Sequence, residues 1–141
     1  TKFKISDETL FKIIEKVENI PYYIQMICHE LWNYKLLKKE ISIDDIEIVI
    51  DQLVRENSQN FHIEWSRLIL NKRRLLKAIA IDGGKNILSS EYIKRNELDY
   101  PSSVQRTLKS LIKDGYLDQD DENNYYITDL LFREWIRKLH I

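Results

Sequence analysis

The sequence predicts a mainly α-helical chain built in two parts, the first over about residues 1–64 and the second over about 65–141. Three observations lead there. Only 3 Gly and 2 Pro among 141 residues leave few tight turns for a strand-rich fold. Apolar residues recur at helical spacing through most of the chain. The rhythm then changes near the C-terminal end, where two short aromatic and β-branched runs flank a polar stretch, the signature of a hairpin.

Taken in order, "SDETLFKIIEKVEN" places Leu10, Ile13, Ile14 and Val17 at helical spacing, with Ser6 or Asp7 as the N-cap. It is expected to stop near Asn19, because Asn tolerates the left-handed C-cap conformation and Pro21 follows. Pro21 suits the first turn of a second helix, "PYYIQMICHELWNYKLLKK", whose early turns are apolar on several sides. "SIDD" opens a third helix with Ser42 and Asp45 at capping-box spacing, and Ile43, Ile46, Val49, Ile50 and Leu53 form its buried stripe. A fourth helix is expected from about Ser58, carrying Phe61, Trp65, Leu68 and Ile69.

In the second part, "NKRRLLKAIAIDGG" reads as a helix capped by Asn71, with Leu75, Leu76, Ile79 and Ala80 inward and Gly83 near its end. "SSEYIKRNEL" is a short helix. After "DYPSS", Ser102 and Gln105 are spaced as a capping box for a helix with Val104, Leu108, Leu111 and Ile112 inward and Gly115 at its end. "YL" and "NYYIT" pair as a hairpin around "DQDDENN", and "DLLFREWIRKL" closes the chain as an amphipathic helix capped by Thr128 or Asp129. Three helices, a hairpin and a last helix are the order of a winged helix-turn-helix. The domain boundary is expected between about 58 and 71, even inside a helix.

Composition narrows the function. With 43% hydrophobic and 32% charged residues, the chain belongs among globular proteins. A single cysteine, Cys28, leaves no internal disulfide framework and favours a reducing, cytoplasmic setting. No apolar run suggests a membrane span or a signal peptide, so no membrane partner is expected. The chain opens on Thr rather than Met, which suggests a piece of a longer protein.

The net charge of −1 conceals an uneven layout. Residues 1–63 carry 8 Lys/Arg against 11 Asp/Glu, residues 67–113 carry 11 against 4, and residues 114–141 carry 3 against 7. A basic centre between acidic flanks fits a local anionic partner better than wholesale coating of nucleic acid.

Catalytic and metal motifs fail on spacing. His29-Glu30 would need a second histidine at position 33, which is Asn33. Gly83-Gly84-Lys85 would need a glycine at position 79, which is Ile79, and a Ser or Thr at 86, which is Asn86. His29, His62 and His140 have no partner at ligand spacing, and Cys28 lies on an apolar helix face where cysteines commonly just pack. No catalytic residue, metal site or cofactor is expected on this chain.

The candidate DNA-binding residues are Ser102, Ser103, Gln105, Arg106, Lys109 and Lys113, at the start and outer face of the penultimate helix, where a winged helix meets bases and phosphates. A solvated helix face would explain the basic residues without DNA, and the capping box would explain Gln105. Lys72, Arg73, Arg74 and Lys77 add positive charge on the first helix of this part. The hairpin loop opposes them, because Asp118, Asp120, Asp121 and Glu122 stand where a wing commonly places basic residues.

The segments "ISDETLFKIIEKVENIPYYIQMICHELW" and "SIDDIEIVI" resemble the helical lid of archaeal-type P-loop ATPases of the AAA+/STAND clade. "NKRRLLKAIA", "SSVQRTLKSLIKDGYL" and "YYITDLLFREWIRKL" resemble the winged helix that follows that lid. In the family's Gly-Gly-x-Pro-Tyr-Tyr turn, Pro21, Tyr22 and Tyr23 match, while Glu18 and Asn19 replace the glycines. The resemblance implies that Asn19, Pro21, Tyr22 and Tyr23 lie near bound nucleotide. It implies a non-catalytic C-terminal module whose ATP and Mg²⁺ come only with an upstream ATPase domain, and whose winged helix engages DNA or a protein. No arginine lies between Pro21 and Arg55 to reach a γ-phosphate. From the residues alone, a free-standing winged-helix transcriptional regulator and a protein-interaction winged helix without a DNA role stay open.

Overall fold

A computed structural model of the protein describes residues 4–5, 7–16, 21–34 and 40–139. The chain divides into two compact units, Thr1–Glu56 and Asn57–Ile141. The division falls inside a helix.

In the first unit, β1 (Lys4–Ile5) pairs in parallel with β2 (Glu40–Ile41), a contact between positions too far apart for any local pattern to announce. Helix α1 spans Asp7–Lys16 and α2 spans Pro21–Tyr34, with Pro21 at the first helical position as expected. Leu10, expected inward, is exposed, whereas Ile14 one turn later is half-buried. Helix α3 runs Ile43–Arg67, and its start is the capping box read from the sequence. The Ser42 backbone N–H donates to Asp45 Oδ2 at 2.8 Å, and the Asp45 N–H donates back to Ser42 Oγ at 3.4 Å. Ile46, Val49, Ile50 and Leu53 of α3 are buried, as are Ile27 and Leu31 of α2.

No break occurs at Ser58. Between Val54 and Phe61 the sequence has neither Pro nor Gly, so nothing interrupts the hydrogen-bond ladder, and the two helices expected there are one.

The second unit has the order expected of it. Helix α4 spans Leu70–Asp82, α5 Ser90–Arg95 and α6 Pro101–Lys113; β3 (Leu117–Gln119) and β4 (Tyr125–Ile127) form an antiparallel hairpin, and α7 spans Leu130–Leu139. The buried side chains come from every one of these elements: Leu75, Leu76 and Ile79 of α4, Tyr92 of α5, Leu108 and Leu111 of α6, Leu117 and Ile127 of the hairpin, and Phe132, Trp135 and Ile136 of α7. Phe132 stacks on Trp135 at 5.9 Å, and both rings meet Phe61 and Trp65 from the end of α3.

Several starts differ from expectation. Asn71 does not cap α4: the cap position is Ile69 in extended backbone, and Asn71 lies inside the helix. The two-residue joint between α3 and α4 is instead held by Arg73, whose Nε donates to the Trp65 carbonyl at 2.9 Å and whose Nη2 donates to the Ser66 carbonyl at 2.8 Å. The Trp65 carbonyl also accepts the Leu68 N–H at 3.2 Å, and the guanidinium completes the end of α3. Ser102 and Gln105 form no capping box either, because α6 begins at Pro101, whose fixed φ suits the first position, after extended Tyr100. Ile112, expected inward, lies at the edge of the buried face and is exposed. Asp129, rather than Thr128, caps α7, accepting the N–H groups of Leu131 and Phe132. Thr128 donates its hydroxyl to the Gly115 carbonyl.

Gly83 ends α4 at φ 86°, and the next residue explains the second glycine. The Tyr125 N–H donates to the Gly84 carbonyl at 2.9 Å, so the α4–α5 loop lies against β4. A Cβ at Gly84 would stand 1.7 Å from the Tyr125 carbonyl oxygen. Gly84→Ala must therefore push the loop off the hairpin. Overpacking of this kind costs about 1–3 kcal/mol, and the expected fall in Tm is at least about 5 °C. Thermal unfolding followed by circular dichroism checks it.

Candidate nucleic-acid interface

The orientation of α6 follows from its buried side. Val104, Leu108 and Leu111 face inward, and α6 packs on α4 and β3. Ser102, Arg106, Lys109 and Lys113, separated by four, three and four residues, then fall on one stripe of the opposite side, with Gln105 beside it. All five are exposed, and none makes a hydrogen bond or ion pair with another described side chain. Gln105 makes no cap, since the cap position of α6 is Tyr100. Ser103 differs: it is 8% exposed, and its carbonyl accepts the Thr107 hydroxyl at 3.1 Å. It lies on the α4 side and away from the stripe.

The basic residues of α4 separate into two pairs. Lys72 donates to Asp114 at 3.0 Å, tying α4 to the end of α6, and Arg73 closes the α3–α4 joint. Arg74 and Lys77 are exposed, without a described partner, and line a cleft of about 280 Å³ with Ala78, Ile81, Arg95, Asn96 and Glu97. Sequence reading missed Arg95, which is positioned by a residue thirteen places earlier. Its Nε donates to Asp82 Oδ2 at 2.6 Å, and its guanidinium lies 5.6 Å from the centre of the Tyr92 ring. Asn96 Nδ2 also donates to Asp82, at 2.8 Å. Tyr92 is buried and donates its hydroxyl to the Gly83 carbonyl, and burial pushes its pKa above the ordinary tyrosine value.

The wing is an ordered acidic turn. Asp120 Oδ1 accepts the N–H groups of Glu122 and Asn124, both at 2.9 Å, and Asn123 adopts φ 62°. Asp118, Asp120, Asp121 and Glu122 are all exposed. A duplex approaching this tip meets like charge.

In the first unit, Asn19 lies outside the described residues. Pro21, Tyr22 and Tyr23 lie within the backbone of α2, and their side chains lie outside the described set. No group of three metal-ligating side chains occurs among the described residues. No helix among them is long and apolar enough to cross a membrane.

The Asn96 hydrogen bond, then Arg95, hold the Asp82 carboxyl below its ordinary value near 3.8. A depressed carboxylate adds stability that is complete above the ordinary value and lost as the pH falls through the folded one. Wild type should therefore unfold at higher temperature than Asp82→Asn at pH 6–7, with the gap closing below about pH 4. Paired melting curves across pH test this. Replacing Arg73 with Ala should cost about 1–3 kcal/mol through its lost hydrogen bonds to the Trp65 and Ser66 carbonyls, while Arg74→Ala should stay within about 0.5 kcal/mol of wild type. Equal losses in urea unfolding would contradict the division of these cations.

Residues 59–138 match the family described as "Probable winged helix domain". The chain is similar to an uncharacterized HTH-type transcriptional regulator of Methanocaldococcus jannaschii, 27% identical over 130 residues that cover 86% of this chain and 29% of that protein. It thus spans under a third of that relative's length. No solved structure matches the chain. The family match covers more than half of the chain and coincides with three helices, a hairpin and a closing helix, and the protein therefore belongs to the winged helix domain family.

Proposed function

We propose that this chain is the non-catalytic, DNA-binding winged-helix portion of a longer transcriptional regulator, with α6 entering the major groove. The observation that carries the reading is the unpartnered stripe of Ser102, Arg106, Lys109 and Lys113 on the side of α6 opposite its buried face. Arg106 and Gln105 are suited to base edges, Lys109 and Lys113 to phosphates, and Ser102 to the backbone near the helix start. The regulator named among the similar proteins supports this class, and its greater length supports a larger parent protein.

The lid-like first part supports a finer version of the same proposal. In a parent carrying an upstream phosphate-binding loop, residues 1–64 would pass the nucleotide state of an AAA+/STAND-type ATPase to the winged helix. Only the resemblance of the segments around Pro21-Tyr22-Tyr23 supports that part, and ATP and Mg²⁺ would bind with the upstream domain. A second reading, a winged helix that grips a protein, is favoured by the exposed carboxylates of the wing.

Fluorescence anisotropy with a labelled duplex over a salt series separates the two. Micromolar or tighter binding is expected, weakening steeply with salt, and Arg106→Ala/Lys109→Ala should weaken it further and flatten the logarithmic salt slope by about 1 through the lost Lys109 phosphate contact. Absence of binding at low salt would place the winged helix with the protein-interaction modules.

A further inference from the structure

The cleft between α4 and the end of α5 is separate from the α6 stripe, and its chemistry is specific. Two arginines and a lysine line it: Arg74 and Lys77 are one helical turn apart on α4, and Arg95 stands opposite them. The acidic group on its rim is Glu97. Arg95 is held by Asp82 through Nε alone, and its two terminal nitrogens make no hydrogen bond or ion pair with a described residue. The Tyr92 ring beneath it limits its motion further. A fixed guanidinium with free terminal N–H groups, facing a second unpaired guanidinium and an ammonium, is an arrangement for a tetrahedral oxyanion.

Its position relative to α6 bears on the source of that anion. Arg74 also lines a groove with Asn71, Leu98, Asp99, Ser103 and Thr107, on the side of α6 that faces α4. Arg74 therefore borders both the flank of α6 and the cleft. When the second helix of such a motif lies in the major groove, the elements behind it pass close to the sugar–phosphate backbone. In this protein the wing cannot supply the backbone contact, because its tip carries Asp118, Asp120, Asp121 and Glu122.

We propose that the Arg74–Lys77–Arg95 cleft binds a backbone phosphate of the duplex engaged by α6, replacing the contact that the acidic wing cannot make. This rests on the DNA-binding reading above.

The test uses the whole chain in two measurements. Anisotropy with a labelled duplex compares wild type, Arg74→Gln/Lys77→Gln and Arg106→Ala/Lys109→Ala across salt, with melting curves to establish that each variant is folded. The cleft variant should bind about tenfold more weakly, with the logarithmic salt slope flattened by about 1. The Nε–H resonances of Arg74 and Arg95 should also shift saturably on titration with the duplex. If the α6 variant loses binding while the cleft variant keeps both affinity and slope, the cleft proposal is overturned and the DNA-binding reading stands. If the unaltered chain binds no duplex at low salt, both are overturned.

Discussion

The packing of Val104, Leu108 and Leu111 against α4 and the hairpin fixes the rotation of α6 about its own axis, and most of the surface follows from that rotation. Turning α6 by half would bury Arg106 and Lys109 and expose Leu108 and Leu111, which burial energetics forbid without a partner for the charge. The stripe of Ser102, Arg106, Lys109 and Lys113 is thus held outward by apolar contacts on the far side of the helix. The same constraint turns Ser103 and Thr107 toward α4 and gives Arg74 a place beside them.

Charge is divided between structure and surface in a way that composition alone conceals. Lys72, Arg73, Arg74 and Lys77 are one basic cluster in the sequence, yet two of them hold the fold and two face solvent. Arg137 repeats the structural use: its Nε donates to the Ala80 carbonyl at 2.6 Å while its Nη1 meets Glu134 at 2.9 Å. Such arginines complete helix ends that the backbone leaves open.

The element order, the hairpin and the last helix were legible in the sequence because each rests on local periodicity and turn chemistry. Cap positions were legible only where side chains decide them. Ser42 and Asp45 form their box, whereas the same spacing at Ser102 and Gln105 is overridden by Pro101 one residue earlier. Asn71 lies inside α4, whose cap position is the extended Ile69 with no side-chain cap. The helix start expected near Ser58 has no Pro or Gly just before it, and without one the ladder of α3 runs on. The outer face of α6 could be read from spacing, but the cleft could not, because Arg95 owes its place to Asp82 and Tyr92 across the α4–α5 loop.

The last helix closes the second unit from within. Phe132 and Trp135 cover the rings of Phe61 and Trp65, the Trp135 indole donates to Ser58 Oγ at 3.2 Å, and Arg137 reaches the end of α4. During synthesis, a chain that has emerged from the ribosome only as far as β4 already carries the basic stripe of α6, but its apolar interior is still open on the side that α7 will fill. A nascent fragment of this kind has the exposed cations of α6 without the rigid frame that aims them. Completion of α7 therefore sets the moment at which the module becomes a defined shape.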